Sequence, residues 1–161
     1  MSGDLRWTCQ PLDALTAAQA YKVLQLRSEV FIVEQDSVVL DPDGRDLLPS
    51  CLHMMGWNDK EELMAYARLL GPGTTGPDQA IPLVGRVVTH PKVRGNGSGR
   101  RLMEAAIAAC ESNWPGLGCQ LGAQAYLEKF YVSLGFAPIP DFEPYDHHGI
   151  KHIEMFRPAT K

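Results

Sequence analysis

The residues with the most legible chemistry run Val87-Val88-Thr89-His90-Pro91-Lys92-Val93-Arg94-Gly95-Asn96-Gly97-Ser98-Gly99-Arg100-Arg101. Glycines let the backbone turn tightly and let a bulky anion approach the amides. A helix N-terminus after such a turn adds unpaired N–H groups and the positive end of a dipole. Arg94, Arg100 and Arg101 add formal charge. Together these residue types predict a cradle for a phosphate or pyrophosphate, with a plain surface loop as the competing reading. Two familiar phosphate sites fail on residues. A P-loop closes with Lys-Ser/Thr, which is missing here. A dinucleotide fingerprint needs a third glycine where Arg100 stands, and a βαβ unit at the start of the chain.

The elements that must position this turn follow from pattern. Leu5–Leu12 reads as a first strand. Thr16 with Gln19 forms a capping-box pattern, and Ala17–Val33 reads as a helix. Its expected apolar face holds Tyr21, Leu24, Ser28 and Phe31, with Val23, Leu26 and Val30 beside it. The β-branched run Val30-Phe31-Ile32-Val33 weakens the end of that helix. Asp36–Ser50, with Pro42, Gly44 and Pro49, reads as a loop or a broken short helix. Strands are expected at Cys51–Trp57 and Glu62–Leu70 around the turn Asn58-Asp59-Lys60-Glu61. After an exposed loop at Gly71–Ala80 comes a valine-rich strand, Ile81–Thr89, with Pro82 at its start.

A helix over Ser98–Asn113 buries Leu102, Met103, Ala106, Ile107 and Cys110. Gly118–Ala123 reads as a strand, Tyr126–Leu134 as a helix stopped by Gly135, and Ile150–Phe156 as the last strand. This order predicts one α/β (α+β) domain over residues 1–161.

Two motifs then carry a family resemblance. Arg94, Gly97 and Gly99 match, in register, the (Arg/Gln)-x-x-Gly-x-(Gly/Ala) pattern of the GNAT acetyltransferases, after a strand that ends near a proline. Phe130-Tyr131-Val132-Ser133-Leu134-Gly135-Phe136 resembles the second signature of those proteins, a helical Tyr shortly before Leu-Gly-Phe. Leu26–Gln35, Tyr66-Ala67-Arg68, Leu121–Ala125 and His152-Ile153-x-Met155 are further similar to the ElaA-like subfamily, so the likeness spans residues 21–156.

The resemblance implies a mixed, mostly antiparallel twisted sheet of 6–7 strands with 4 helices, and acetyl-coenzyme A as co-substrate. It implies that Val88 and Thr89 lend backbone groups to the pantetheine arm. The amides of Arg94, Gly95, Asn96, Gly97, Ser98 and Gly99 would hold the pyrophosphate. Gln124 stands where many members have an Asn that meets the cofactor, and both are amides with the same donors and acceptors. Tyr131 matches the general acid.

Direct transfer from a thioester to an amine needs two proton transfers. An amine with a pKa of about 10.4 is free base in roughly one molecule in 2,500 at pH 7, a handicap of about 4.6 kcal/mol. A base, or a water chain to one, relieves it. Glu34 and His53 are the candidates, with His152 in the last strand as a further one; each is also a plausible structural residue. The leaving thiolate, with a reference pKa of about 8.5, calls for a phenol such as Tyr131. Tyr66 and Arg68 share a strand face and are candidates for acceptor binding, or form a polar edge. Arg27 is expected to pair with Asp41, Asp43 or Asp46. The acids of this loop either attract a cationic acceptor or stay solvated. His90, His147 and His148 are expected to be exposed. Asp41-x-Asp43-Gly44 lacks the remaining ligands of a calcium loop, so no metal is expected.

Composition bounds the alternatives. The 161 residues carry a net charge of −4, which speaks against nucleic acid as a partner. Cys9, Cys51, Cys110 and Cys119 form no CxxC pair and read as free thiols. No apolar run reaches the roughly 18 residues of a membrane span, and the start of the chain lacks an apolar leader, so a cytoplasmic protein is expected. The acceptor is expected to be a primary amine on a small molecule or peptide, and a homodimer is compatible with the family. The alternative function is an acyl-CoA-binding sensor without turnover. A third keeps the fold with a longer acyl donor, because Arg27–Gln35 resembles acyl-homoserine-lactone synthases.

Overall fold

In the computed structural model, which describes residues 4–147 and 149–160, eight strands form one mixed sheet. They are β1 (Arg6–Pro11), β2 (Cys51–Trp57), β3 (Leu63–Leu70), β4 (Leu83–Thr89), β5 (Cys119–Gln124), β6 (Ala137–Pro138), β7 (Tyr145–His147) and β8 (Ile150–Arg157). The order is β1-β2-β3-β4-β5-β8-β6, with β7 also on β8. Every pairing is antiparallel except β4 with β5. The α-helices among the described residues are α1 (Ala17–Arg27), α2 (Ser98–Asn113) and α3 (Glu128–Val132). The class agrees with the expectation from sequence. The strand count is higher, because the short β6 and β7 have no periodicity long enough to read, and the helix count is lower. No helix among the described residues is long and apolar enough to cross a membrane.

The capping box at Thr16 forms: the Gln19 N–H donates to Oγ1 at 3.1 Å, and the Thr16 N–H donates to Gln19 Oε1 at 2.9 Å. The helix expected through Val33 is α-helical only to Arg27 and continues as a π-helical run, Ser28–Glu34, with the Gln35 N–H on the Val30 carbonyl at 2.9 Å. The β-branched run lies where the helix winding changes. The buried face also differs from the one expected. Val23, Leu26, Arg27 and Val30 are buried, whereas Tyr21 is 71% exposed.

The sheet is covered on both sides, which explains why all eight residues of β3 are buried. One face packs α2, through Leu102, Met103 and Ala106, on Met54, Ala67 and Leu69. The other packs α1, through Val23, Leu26 and Val30, on Met55, Trp57 and Tyr66. Asn58 closes the β2–β3 turn as an Asx cap, accepting from the N–H groups of Lys60 and Glu62 at 3.0 and 2.8 Å.

The expected helix over Tyr126–Leu134 is a 3₁₀ turn, Ala125–Leu127, followed by the short α3. Gly135, at φ 97°, ends it in the left-handed conformation.

Candidate active site

β4 and β5 lie side by side at one register pair, Leu83 with Gln120, and then part. A bulge lies in β4 beyond that pair. Arg68 of β3 faces Gly85 and Tyr66 faces Val88, so Arg86 and Val87 share one partner position, and Arg86 takes φ 49°. Such a bulge bends its strand. The result is a cleft of about 710 Å³ whose walls include Val84–Thr89 on one side and Leu121, Gly122 and Gln124 on the other. Strand groups that would otherwise pair across β4 and β5 face this cleft.

At the mouth of the cleft the glycine-rich turn enters α2. Gly95 and Gly97 adopt φ 83° and 87°, and Gly97 is the helix N-cap. Among the described residues the N–H groups of Gly95, Asn96, Gly97 and Gly99 have no acceptor. Two others of the expected set do. The Arg94 N–H reaches the Pro91 carbonyl at 3.4 Å, and Asn96 Oδ1 accepts from both the Ser98 N–H, at 3.0 Å, and its hydroxyl, at 2.6 Å. Ser98 is buried and braces the turn instead of facing an anion. A methyl group added at Gly95 or Gly99 would meet no protein atom within 4 Å, so there is room for a ligand against the backbone. The free amides, the dipole of a 16-residue helix and Arg94 suit a pyrophosphate. The Thr89 carbonyl accepts from Arg94 at 3.2 Å, while Val88 is buried in the cleft wall.

Tyr131 and Gln124 line the same cleft. The Tyr131 ring is buried edge-on against Phe130 and Phe136, with centroids 5.1 and 5.8 Å away. Burial pushes its pKa up to about 12, so the phenol stays protonated. Its hydroxyl has no hydrogen-bond partner among the described residues.

The candidate bases separate. Glu34 borders the cleft, but Arg94 donates to both its oxygens, at 2.6 and 2.8 Å, and these hydrogen bonds hold its pKa below the usual value. A carboxylate so engaged is a weak proton acceptor. His53 is fully buried outside the cleft lining. Its Nδ1 meets the Tyr66 hydroxyl at 2.7 Å and its Nε2 the Asp46 carbonyl at 3.1 Å, and burial lowers its pKa. It cannot reach an acceptor.

Tyr66 and Arg68, read as acceptor-binding, are 0% and 4% exposed and do not line the cleft either. They belong to a buried ionic cluster. Arg27 Nε donates to Asp41 at 2.7 Å, Arg27 Nη1 to Asp46 at 2.7 Å, Arg68 to Asp43 at 2.8 and 2.9 Å, and Arg86 Nε to Asp41 at 2.9 Å. The predicted Arg27 pair is present. Asp41 and Asp46 are buried and paired with arginines, whereas Asp43 pairs with Arg68 but stays exposed to solvent. Asp46, Cys51 and His53 place ligand atoms within 4.8 Å of one another, yet two guanidiniums share Asp46 and burial pushes the Cys51 thiol up to about 12. That field favours ion pairing over a metal ion.

The far wall of the cleft surrounds His152, named above as a candidate base, with residues that pattern reasoning passed over. Tyr145 stacks on His152, with centroids 5.6 Å apart and planes at 21°, and donates its hydroxyl to Glu154 at 2.8 Å. Gln120 donates to the other oxygen of Glu154 at 3.0 Å. A side chain at Gly122 would collide with the Tyr145 oxygen, so only glycine lets Tyr145 lie there. The signal was the alternation of β8, where His152 and Glu154 point opposite to Ile153 and Met155. His147 is exposed as expected, and lies edge-on to His152. His90 is half-buried instead, with Nδ1 accepting from the Lys92 N–H at 3.1 Å. His148 lies outside the described residues. Cys9, Cys51, Cys110 and Cys119 are free thiols.

Comparison with known proteins agrees with this geometry. Residues 50–157 match the family described as Acetyltransferase (GNAT) domain. Protein ElaA of Escherichia coli is 39% identical over 95% of this chain and 96% of its own, and its crystal structure superposes with a TM-score of 0.87. An acyl-CoA N-acyltransferase from Pseudomonas aeruginosa is 40% identical, covers 95% of this chain and 99% of its own, and also gives a TM-score of 0.87. A CoA-dependent acyl-homoserine lactone synthase superposes with a TM-score of 0.76 over 98% of this chain and 84% of its own, at 13% identity, a likeness of fold alone.

Proposed function

The chain belongs to the GNAT acetyltransferase family, and from that premise we propose that it moves an acetyl group from acetyl-coenzyme A to a primary amine of a small molecule or peptide. The observation that carries this reading is the open cleft between β4 and β5, with the unpaired amides of Gly95, Asn96, Gly97 and Gly99 at its mouth and Tyr131 in its lining. The amides and Arg94 hold the pyrophosphate. Val88 and Gln124 steady the pantetheine arm from the two cleft walls.

The bound thioester supplies an activated acyl carbon. The protein's part is to orient it, to exclude water and to protonate the departing sulfur. Tyr131 does the last of these: burial keeps its proton in place until negative charge develops beside it. The same burial makes free tyrosinate costly, so the phenol regains a proton as it gives one up. Acceptor and donor sit in the cleft together, and transfer is direct. The four free thiols fit a reducing compartment, and we read the protein as cytoplasmic.

The test is calorimetry with coenzyme A, followed by thiol release from acetyl-coenzyme A across a panel of primary amines. Binding at micromolar concentration with amine-dependent release supports transfer. Binding with no release from any amine supports a sensor. No heat at millimolar coenzyme A ends both readings.

A further inference from the structure

Neither Glu34, clamped on Arg94, nor His53, sealed behind the sheet, can take a proton from an acceptor amine. The geometry points to His152 Nε2 as the group that does. This inference rests on the acyl-transfer reading above and assigns the second half of its proton chemistry.

Three observations converge. His152 lines the cleft from β8, directly across from Gln124 of β5, at the end of the strand that opens away from β4. Its tautomer is fixed: Nδ1 lies 2.8 Å from the Ile150 carbonyl, which can only accept, so Nδ1 carries the hydrogen and Nε2 keeps its lone pair. Nε2 has no partner among the described residues, although the ring is half-buried. Finally, the ring is held in place. Tyr145 stacks on it and His147 meets its edge, with centroids 5.6 and 5.3 Å away. Tyr145 is anchored by Glu154, which Gln120 fixes in turn. Burial, with the Glu154 hydrogen bond, pushes Tyr145 up to about 12, so it stays a neutral donor. A plain packing histidine needs no such chain of supports for a nitrogen it leaves unused.

The titratable groups around this ring are few. Tyr145 and His147 face it from β7, and Glu154 stands behind Tyr145. Across the cleft are Glu34 with Arg94, Asp41 with Arg86, Tyr126 and Tyr131. Both carboxylates there are paired with arginine, whereas the His152 Nε2 is not engaged by any described residue.

The protons balance. The acceptor ammonium gives one proton to Nε2, and the imidazolium releases it to solvent. The freed nitrogen attacks the thioester carbonyl, the C–N bond forms and the C–S bond breaks. The second proton, shed as the nitrogen becomes an amide, replenishes the Tyr131 hydroxyl as that hydroxyl protonates the sulfur. One amide, one thiol and one proton in solution result.

The test compares wild type, His152→Gln and Tyr131→Phe for coenzyme A affinity by calorimetry and for acetyl transfer to the amine panel between pH 6 and 9. His152→Gln should bind coenzyme A as wild type does and lose 10²–10⁴-fold in kcat/KM. It should also lose the acidic limb of the pH profile, which a merely structural histidine would not set. His152→Ala should regain turnover with added imidazole. A variant that keeps wild-type rate and pH profile overturns the assignment of His152 and leaves acyl transfer standing. A wild type that releases thiol with no amine overturns both. Should the substitutions unfold the protein, ¹⁵N NMR of the wild-type imidazole decides. A protonated Nδ1 with an unprotonated Nε2 supports the role, and the opposite tautomer overturns it.

Discussion

Arg94 Nη1 and Nη2 lie 2.6 and 2.8 Å from the two carboxylate oxygens of Glu34, a residue 60 positions earlier in the chain. This contact ties the end of the π-helical run to the start of the glycine-rich turn at the cleft. A pyrophosphate bound as proposed would compete with Glu34 for the same guanidinium. Both side chains are partly exposed, so the pair itself is weak and screened by salt.

Glu34→Gln should therefore tighten coenzyme A binding severalfold at low ionic strength, with the gain shrinking as salt rises. Arg94→Ala should weaken binding about tenfold or more, because a charge-assisted contact to phosphate is lost. Calorimetry at two salt concentrations reads both effects. Weaker binding in Glu34→Gln would mean that Glu34 positions Arg94 for the phosphate instead of competing with it.

Tyr131→Phe should lower kcat by about 10²-fold or more and leave the coenzyme A dissociation constant within about twofold of wild type. The ring keeps its edge-on contacts with Phe130 and Phe136, so packing is preserved and only the hydroxyl is lost. A KM effect with kcat intact would assign Tyr131 to binding instead.

Legibility in the sequence divided along a physical line. The geometry of the glycine-rich turn was readable because its requirements are local: glycines at positive φ, a helix start and an arginine at fixed spacing. The place of Tyr131 in the cleft lining was readable from register with a known motif. Groups whose neighbours come from afar in the chain were not readable in this way. Tyr66 and Arg68 do share a strand face, but the loop of Asp41, Asp43 and Asp46 folds over them, and no period in the sequence announces which acids a distant strand will meet. His53 shares a face with Met55 and Trp57, and that face is a core. Tyr145 and Glu154 were missed because β7 is three residues long and its role depends on the glycine at position 122 of another strand.

The ionic cluster should dominate stability near α1. Arg27 is fully buried and shares Asp41 and Asp46, and it lies 5.7 Å from the centroid of the Tyr66 ring. Removing one partner leaves uncompensated buried charge. Arg27→Ala should cost about 3–5 kcal/mol in urea denaturation at pH 7. The double change Arg27→Met with Asp46→Leu should recover part of the loss. Equal losses in the single and double variants would show that packing, not charge, holds this site.

Acidification should destabilise the protein in two steps, and the sign follows from depressed pKa values in the folded state. Burial lowers His53 from its usual 6.5, so below that pH the unfolded chain takes up a proton that the folded one refuses, and stability falls. Burial pushes Asp43 up, but the Arg68 hydrogen bond and charge outweigh it and bring its pKa from 3.8 to about 2; the arginines hold Asp46 down likewise. Their contribution is complete above the unfolded carboxylate range and is lost as pH drops from about 4 towards 2. Chemical denaturation at pH 7, 5 and 3 should give steadily lower midpoints. His53→Gln should flatten the step between pH 7 and 5 and leave the step below pH 4 in place. A midpoint that rises between pH 7 and 5 would mean that His53 is charged in the folded protein, against the Tyr66 and Asp46 contacts that surround it.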